Sequence, residues 1–189
     1  MIKRLIFEPD SFFENLKKNH VNGRDLIAPA IIVALTGLIN PLTVFYIHNE
    51  VSYDFALFSI LISIAGWALF SMVVHKVSET LSGFREASFI NLLYGLGASR
   101  LPMLIFLFTM ALVCLKHNVN IVSSKFAMVY VISVFWMFYL YGLCVSKLYG
   151  LSFLRSIFAV ILSFIAITMA MSLLGRALGW ASLSIPILG

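Results

Sequence analysis

His75 and Glu79 stand four residues apart near the end of an apolar run, so on a helix they share one face. An imidazole and a carboxylate so placed can bind a metal ion or pass a proton. Further along, "YGLGASRLPMLIFLF" (94–108) sets Arg100 just ahead of Pro102, where a second apolar run begins. His48 is the other ionisable group beside such a run. No further ligand completes a metal site around these groups, and Cys114 and Cys144 have no partners at metal-ligand spacing. The glycines of "YGLGASRLP" lack the preceding strand and third glycine of a dinucleotide fingerprint. There is no HExxH, nucleophile elbow, phosphate loop or carboxylate pair inside an apolar run. The expectation is a non-enzymatic protein with no catalytic residue, metal or cofactor.

The solvent that must hold these groups follows from composition. Hydrophobic residues make up 61% of the 189 residues and charged ones 11%, with a mean hydropathy of +1.02. Soluble domains carry roughly 25% charged residues to cover their surface, so this chain is built for a bilayer. Its net charge of +5 reflects the lysines and arginines that collect in loops on the cytoplasmic side, with no dense basic run for nucleic acid.

Five runs approach the ~20 apolar residues that cross a bilayer: 26–47, 55–74, 101–115, 126–145 and 156–174. Without water, each must be helical. The expected fold is all-α: a polytopic five-helix transmembrane bundle with short interfacial helices on the cytoplasmic side. The chain divides into an N-terminal cytoplasmic or interfacial segment (1–25), the membrane domain (26–175) and a short extracytoplasmic tail (176–189). Lys3, Arg4, Lys17, Lys18, Arg24, Lys76, Arg85, Lys147 and Arg155 lie on one side of this arrangement. Lys116, Lys125 and Arg176 lie on the other. The excess places the N-terminus in the cytoplasm and the C-terminus outside.

The segment "EPDSFFENLKKN" has a helix start at Pro9-Asp10 and an aromatic face of Phe12, Phe13 and Leu16, suited to the headgroup layer or to the end of the bundle. Small residues recur at helical spacing in two spans: Ser59, Ser63 and Gly66, then Ala159, Ser163, Ala166 and Ala170. Such stripes let membrane helices approach closely, which nominates spans two and five as the buried ones. "FREASFINLLYG" reads as an interfacial helix that breaks over 95–101, with Pro102 in the first turn of span three. Arg100 is then expected at the headgroup level, paired with Glu79, Glu86 or a lipid phosphate. Here His75 and Glu79 form either a polar cluster at the mouth of the bundle or a proton-transfer pair.

"PDSFFENL", "DLIAPAIIVALTGLINPL" and "GWALFSMVVHKVSETLSGFREASFINLLYGLGASRLPMLI" together resemble the Yip-domain family of Ypt/Rab-interacting membrane proteins. His75, Gly83, Tyr94, Gly95 and Pro102 carry the most specific part of the likeness, and the short N-terminal segment is similar to that of prokaryotic-type members. The resemblance implies five spans, a cytoplasmic N-terminus and a role in organising membranes or in trafficking. Eukaryotic members bind prenylated Rab GTPases.

Two function classes follow. One is a scaffold that shapes membranes or binds partners through its cytoplasmic side, with His75, Glu79, Glu86, Tyr94, Arg100 and Pro102 as contacts to lipid or protein. The other is a small-solute transporter or channel. A polar path would need polar groups at mid-membrane, and serines, threonines and Asn40 are the only ones expected at that depth. Partners are the lipid bilayer, cytoplasmic proteins and a second copy of the chain, not nucleic acid.

Overall fold

The computed structural model describes residues 2–48, 51–83, 87–115 and 124–177, and every regular element among them is helical. Two short helices, α1 (Ile2–Phe7) and α2 (Pro9–Lys18), precede the bundle. Pro9 opens α2, where its missing N–H costs nothing. Phe13 and Leu16 of α2 are buried while Glu14, Lys17 and Lys18 are exposed. Removing side chains of this size from water contributes about 1.5–3 kcal/mol each, enough to seat a helix too short to persist alone.

Five helical stretches are long and apolar enough to cross a membrane: Gly23–Phe45, Tyr53–Ser82, Phe89–Leu112, Ala127–Tyr149 and Phe153–Leu173. Two of them are broken within their length. The first is a 3-10 turn (Gly23–Leu26) followed by α3 (Ile27–Thr36) and α4 (Ile39–His48). Pro41 has no N–H to offer the Gly37 carbonyl, and Gly37 itself is pressed against the next span. A Cβ there would sit 2.9 Å from Ser63 Cβ and 3.0 Å from Ser59 O. The second span is the continuous α5 (Tyr53–Ser82). Ser52 starts it by accepting from Phe55 N at 3.2 Å, and Gly83 at φ 65° ends it.

The third span joins α6 (Phe89–Ala98) to α7 (Leu101–Leu115). The break expected at the interface therefore lies inside the membrane-crossing stretch, and α6 is half of span three rather than a surface helix. Pro102 again explains the interruption, since it cannot donate to Ala98 O, and Arg100 N bonds back to Gly97 O at 3.2 Å. The fourth and fifth spans are α8 (Ser124–Tyr149) and α9 (Phe153–Ala177).

Span three is the centre of the bundle. Of its apolar stretch 67% is buried, against 17% for α5 and 22% for α9, which corrects the choice of spans two and five. Close approach explains why. A Cβ on Gly97 would meet Pro29 Cβ at 2.8 Å and the Trp67 ring at 2.9 Å, and one on Gly95 would overlap Cys144 Sγ. Backbone on α6 thus lies directly against α3, α5 and α8, which gains dispersion contact where lipid supplies no hydrophobic drive. Trp67 Nε1 adds a hydrogen bond to Leu93 O at 3.0 Å across this junction.

The small-residue stripes divide. Ser59 and Ser63 face Gly37, and Ala159 and Ser163 are fully buried. Gly66, Ala166 and Ala170 are exposed, and nothing lies within 4 Å of a Cβ built on Gly66. For Gly66, at least, small size serves no helix contact among the described residues.

Candidate functional site

The end of the bundle that carries α1 and α2 holds a dense set of polar contacts. Asn91, 4% exposed on α6, donates from Nδ2 to Leu16 O at 2.7 Å and to Asn19 O at 3.0 Å. Its Oδ1 accepts from Val21 N at 3.2 Å. One carboxamide thereby satisfies the backbone groups left open where α2 ends, tying the N-terminal segment to the central span. Lys147 of α8 pins the other side, with Nζ at 2.9 Å from Asp10 Oδ1 and 2.8 Å from Glu14 Oε1. That hydrogen bond and the ammonium charge hold the Glu14 carboxyl below its ordinary range.

His75 joins α5 to α8 at the same end. Its Nδ1 is hydrogen-bonded to the Tyr149 hydroxyl, its Nε2 lies 3.2 Å from Glu79 Oε1, and its ring packs on Phe89 at 5.5 Å. A neutral imidazole that accepts from Tyr149 and donates through Nε2 satisfies both neighbours. Glu79 also receives Lys76 Nζ at 3.0 Å. Ser78 Oγ, fully buried nearby in sequence, is the one buried side-chain oxygen without a hydrogen-bond partner among the described residues. No group of three His, Cys, Asp or Glu side chains converges on a metal-binding geometry among those residues.

Tyr94 stacks on Phe12 at 6.3 Å and lines a surface groove of about 680 Å³ between the N-terminal helices and α3. Arg4, His20 and Arg24, with Asp25 as the one carboxylate, line the groove beside the apolar side chains of Ile27 and Ile31, which are 61% and 54% exposed. Basic groups and exposed aliphatic surface thus meet in one place, the combination that headgroups and acyl chains present together.

Arg100 stands apart from this end. It lies midway along Phe89–Leu112, inside the bundle and away from both ends of that stretch. Its Nε donates to Tyr141 Oη at 3.2 Å and its Nη1 to Ser63 Oγ at 3.1 Å, while Ser63 Oγ donates onward to Val33 O at 2.9 Å. Among the described residues no carboxylate lies within ion-pairing distance of Arg100. Glu79 is engaged by His75 and Lys76 instead, and Glu86 falls outside the described residues, as do the side chains of His48 and Cys114. A cavity of about 540 Å³ opens beside the guanidinium, walled by Phe70, Met103, Met137, Phe138 and Phe164. Gly66 lines it too.

The expected contact residues therefore fall into two groups. His75, Glu79 and Tyr94 gather at the N-terminal end, whereas Arg100 and the buried Pro102 belong to the middle of span three. Sequence reasoning passed over Asn91, Tyr141 and Tyr149. Asn91 had a signal, being a lone carboxamide inside "FINLLYG". Tyr141 had none, because "FWMFYLYG" suits a lipid-facing surface equally well, and Tyr149 of "KLYG" had none either.

A family model described as Yip1 domain matches residues 3–175. No curated protein and no solved structure matches the chain.

Proposed function

Because the chain belongs to the Yip1 domain family of membrane proteins, we propose that it is a non-enzymatic scaffold that organises membrane and partner proteins on its N-terminal side. The observation that carries this reading is the fixed seating of α2. Three hydrogen bonds to Asn91 and the Lys147 contacts with Asp10 and Glu14 hold it against the bundle. A helix held so firmly presents its outer face in one orientation, which recognition needs and a solute path does not. The groove beside Tyr94 supplies the lipid-facing part of that surface.

The N-terminal end is assigned to the cytoplasm on the distribution of lysine and arginine. Partner proteins then approach from there, and His75 and Glu79 serve as internal braces rather than contacts.

Photo-crosslinking side chains placed at Asn15 and Lys18, both exposed on α2, test the proposal in native membranes. Defined protein adducts should form at these positions and not at the exposed Leu162 of α9. They should disappear when Asn91→Leu releases α2. The same adduct pattern at all three positions would overturn the reading.

A further inference from the structure

We propose that the cavity beside Arg100 is a binding site, within the membrane, for a single-chain amphiphile whose carboxylate pairs with the guanidinium. A guanidinium has five N–H donors, and the two hydrogen bonds to Tyr141 and Ser63 account for two of them. Neither acceptor carries charge, and no carboxylate is at hand among the described residues. A central arginine costs at least a few kcal/mol in a bilayer, and an arginine cannot shed its proton to escape that cost. Tyr141 and Ser63 fix the fork in place, and a carboxylate matches it through two parallel hydrogen bonds.

The rest of the cavity selects the tail. Phe70, Met103, Met137 and Phe164 give it an apolar wall, and the methionines adapt to a flexible chain. Its volume of about 540 Å³ lies within the roughly 300–1,000 Å³ of small-molecule pockets, which suits one acyl chain and not two. Access comes from the side. Ile62 and Phe164, both lining the cavity, are 54% and 56% exposed on the surface that faces lipid. Gly66 keeps the opening wide, because nothing lies within 4 Å of the place its side chain would occupy. That open space gives a reason for a glycine that no helix contact among the described residues explains.

Purified protein in nanodiscs of zwitterionic lipid tests the assignment. The probes are hexadecanoate, hexadecanol with the same chain but no charge, hexadecyl phosphate, and a diacyl phosphatidylglycerol. Hexadecanoate should bind at one per chain, at least about tenfold more tightly than hexadecanol. Arg100→Gln should abolish that preference. Gly66→Leu should weaken hexadecanoate binding without lowering the melting temperature, and it decides the matter if Arg100→Gln does not fold. Equal binding of acid and alcohol to the parent would overturn the proposal, as would a preference retained in Arg100→Gln. Tighter binding of hexadecyl phosphate would overturn the carboxylate assignment, and tighter binding of phosphatidylglycerol would overturn the single-chain assignment.

Discussion

Asn91 spends its carboxamide on three backbone groups that belong to a different part of the chain, Leu16 O, Asn19 O and Val21 N. Leucine has a similar shape but can satisfy none of them. A buried backbone group left open costs about 1–3 kcal/mol, so Asn91→Leu should undock α2 rather than unfold the bundle. Hydrogen exchange is expected to accelerate over residues 9–21 while α5 and α8 keep their protection; uniform acceleration would contradict a local role. The Lys147 contacts make a second prediction, in pH. Glu14 is depressed below its ordinary value by the Lys147 hydrogen bond and charge. A lowered folded-state pKa contributes stability above the unfolded value and loses it as pH falls through the folded one. Loosening of α2 should therefore appear below about pH 4.5, and Lys147→Met should remove that acid dependence. Salt should weaken the same tie, since both carboxylates are exposed.

Among the helices, glycine positions separate contact from vacancy. Gly97→Ala forces a methyl against Pro29 and the Trp67 ring, and overpacking of this kind costs about 1–3 kcal/mol. Gly66→Ala meets nothing and gains helix propensity. The melting temperature in detergent should fall for the first and hold or rise for the second; the reverse order would show that α5 and α6 are misplaced. The five spans are legible in the sequence because crossing a bilayer demands length and apolarity, and composition records both. Glycine is legible too where it closes a helix, as Gly83 and Gly150 do at positive φ. The central helix is not. Lipid removes the contrast between buried and solvent-facing surfaces, so the stripe from Ser59 to Gly66 and the pair Gly95 and Gly97 carry the same signal with different meanings. Arg100 illustrates the same loss. A charge beside an apolar run suits a helix end as well as a helix middle, and the choice rests on whether α6 belongs to the span. Tyr141, on a different helix, could be matched to it only in three dimensions.

For the molecule as a whole, the proposed orientation is open to a direct test. A reporter active only in the cytoplasm should work when fused at residue 80 or 150 and fail at 120 or 189. Activity at 120 would reverse the membrane sidedness and move the proposed docking surface to the other compartment. The order of synthesis also gives the half-buried Arg100 a different significance. Span three is the least hydrophobic of the five, and an arginine at the centre of an inserting helix costs about 2.5–3.5 kcal/mol. When span three leaves the ribosome, Ser63 already exists but Tyr141 has not been made. Its partition into lipid is therefore not an independent event. It leans on α5, already threaded, and is completed only when α8 arrives, so biogenesis of this bundle is cooperative across three spans.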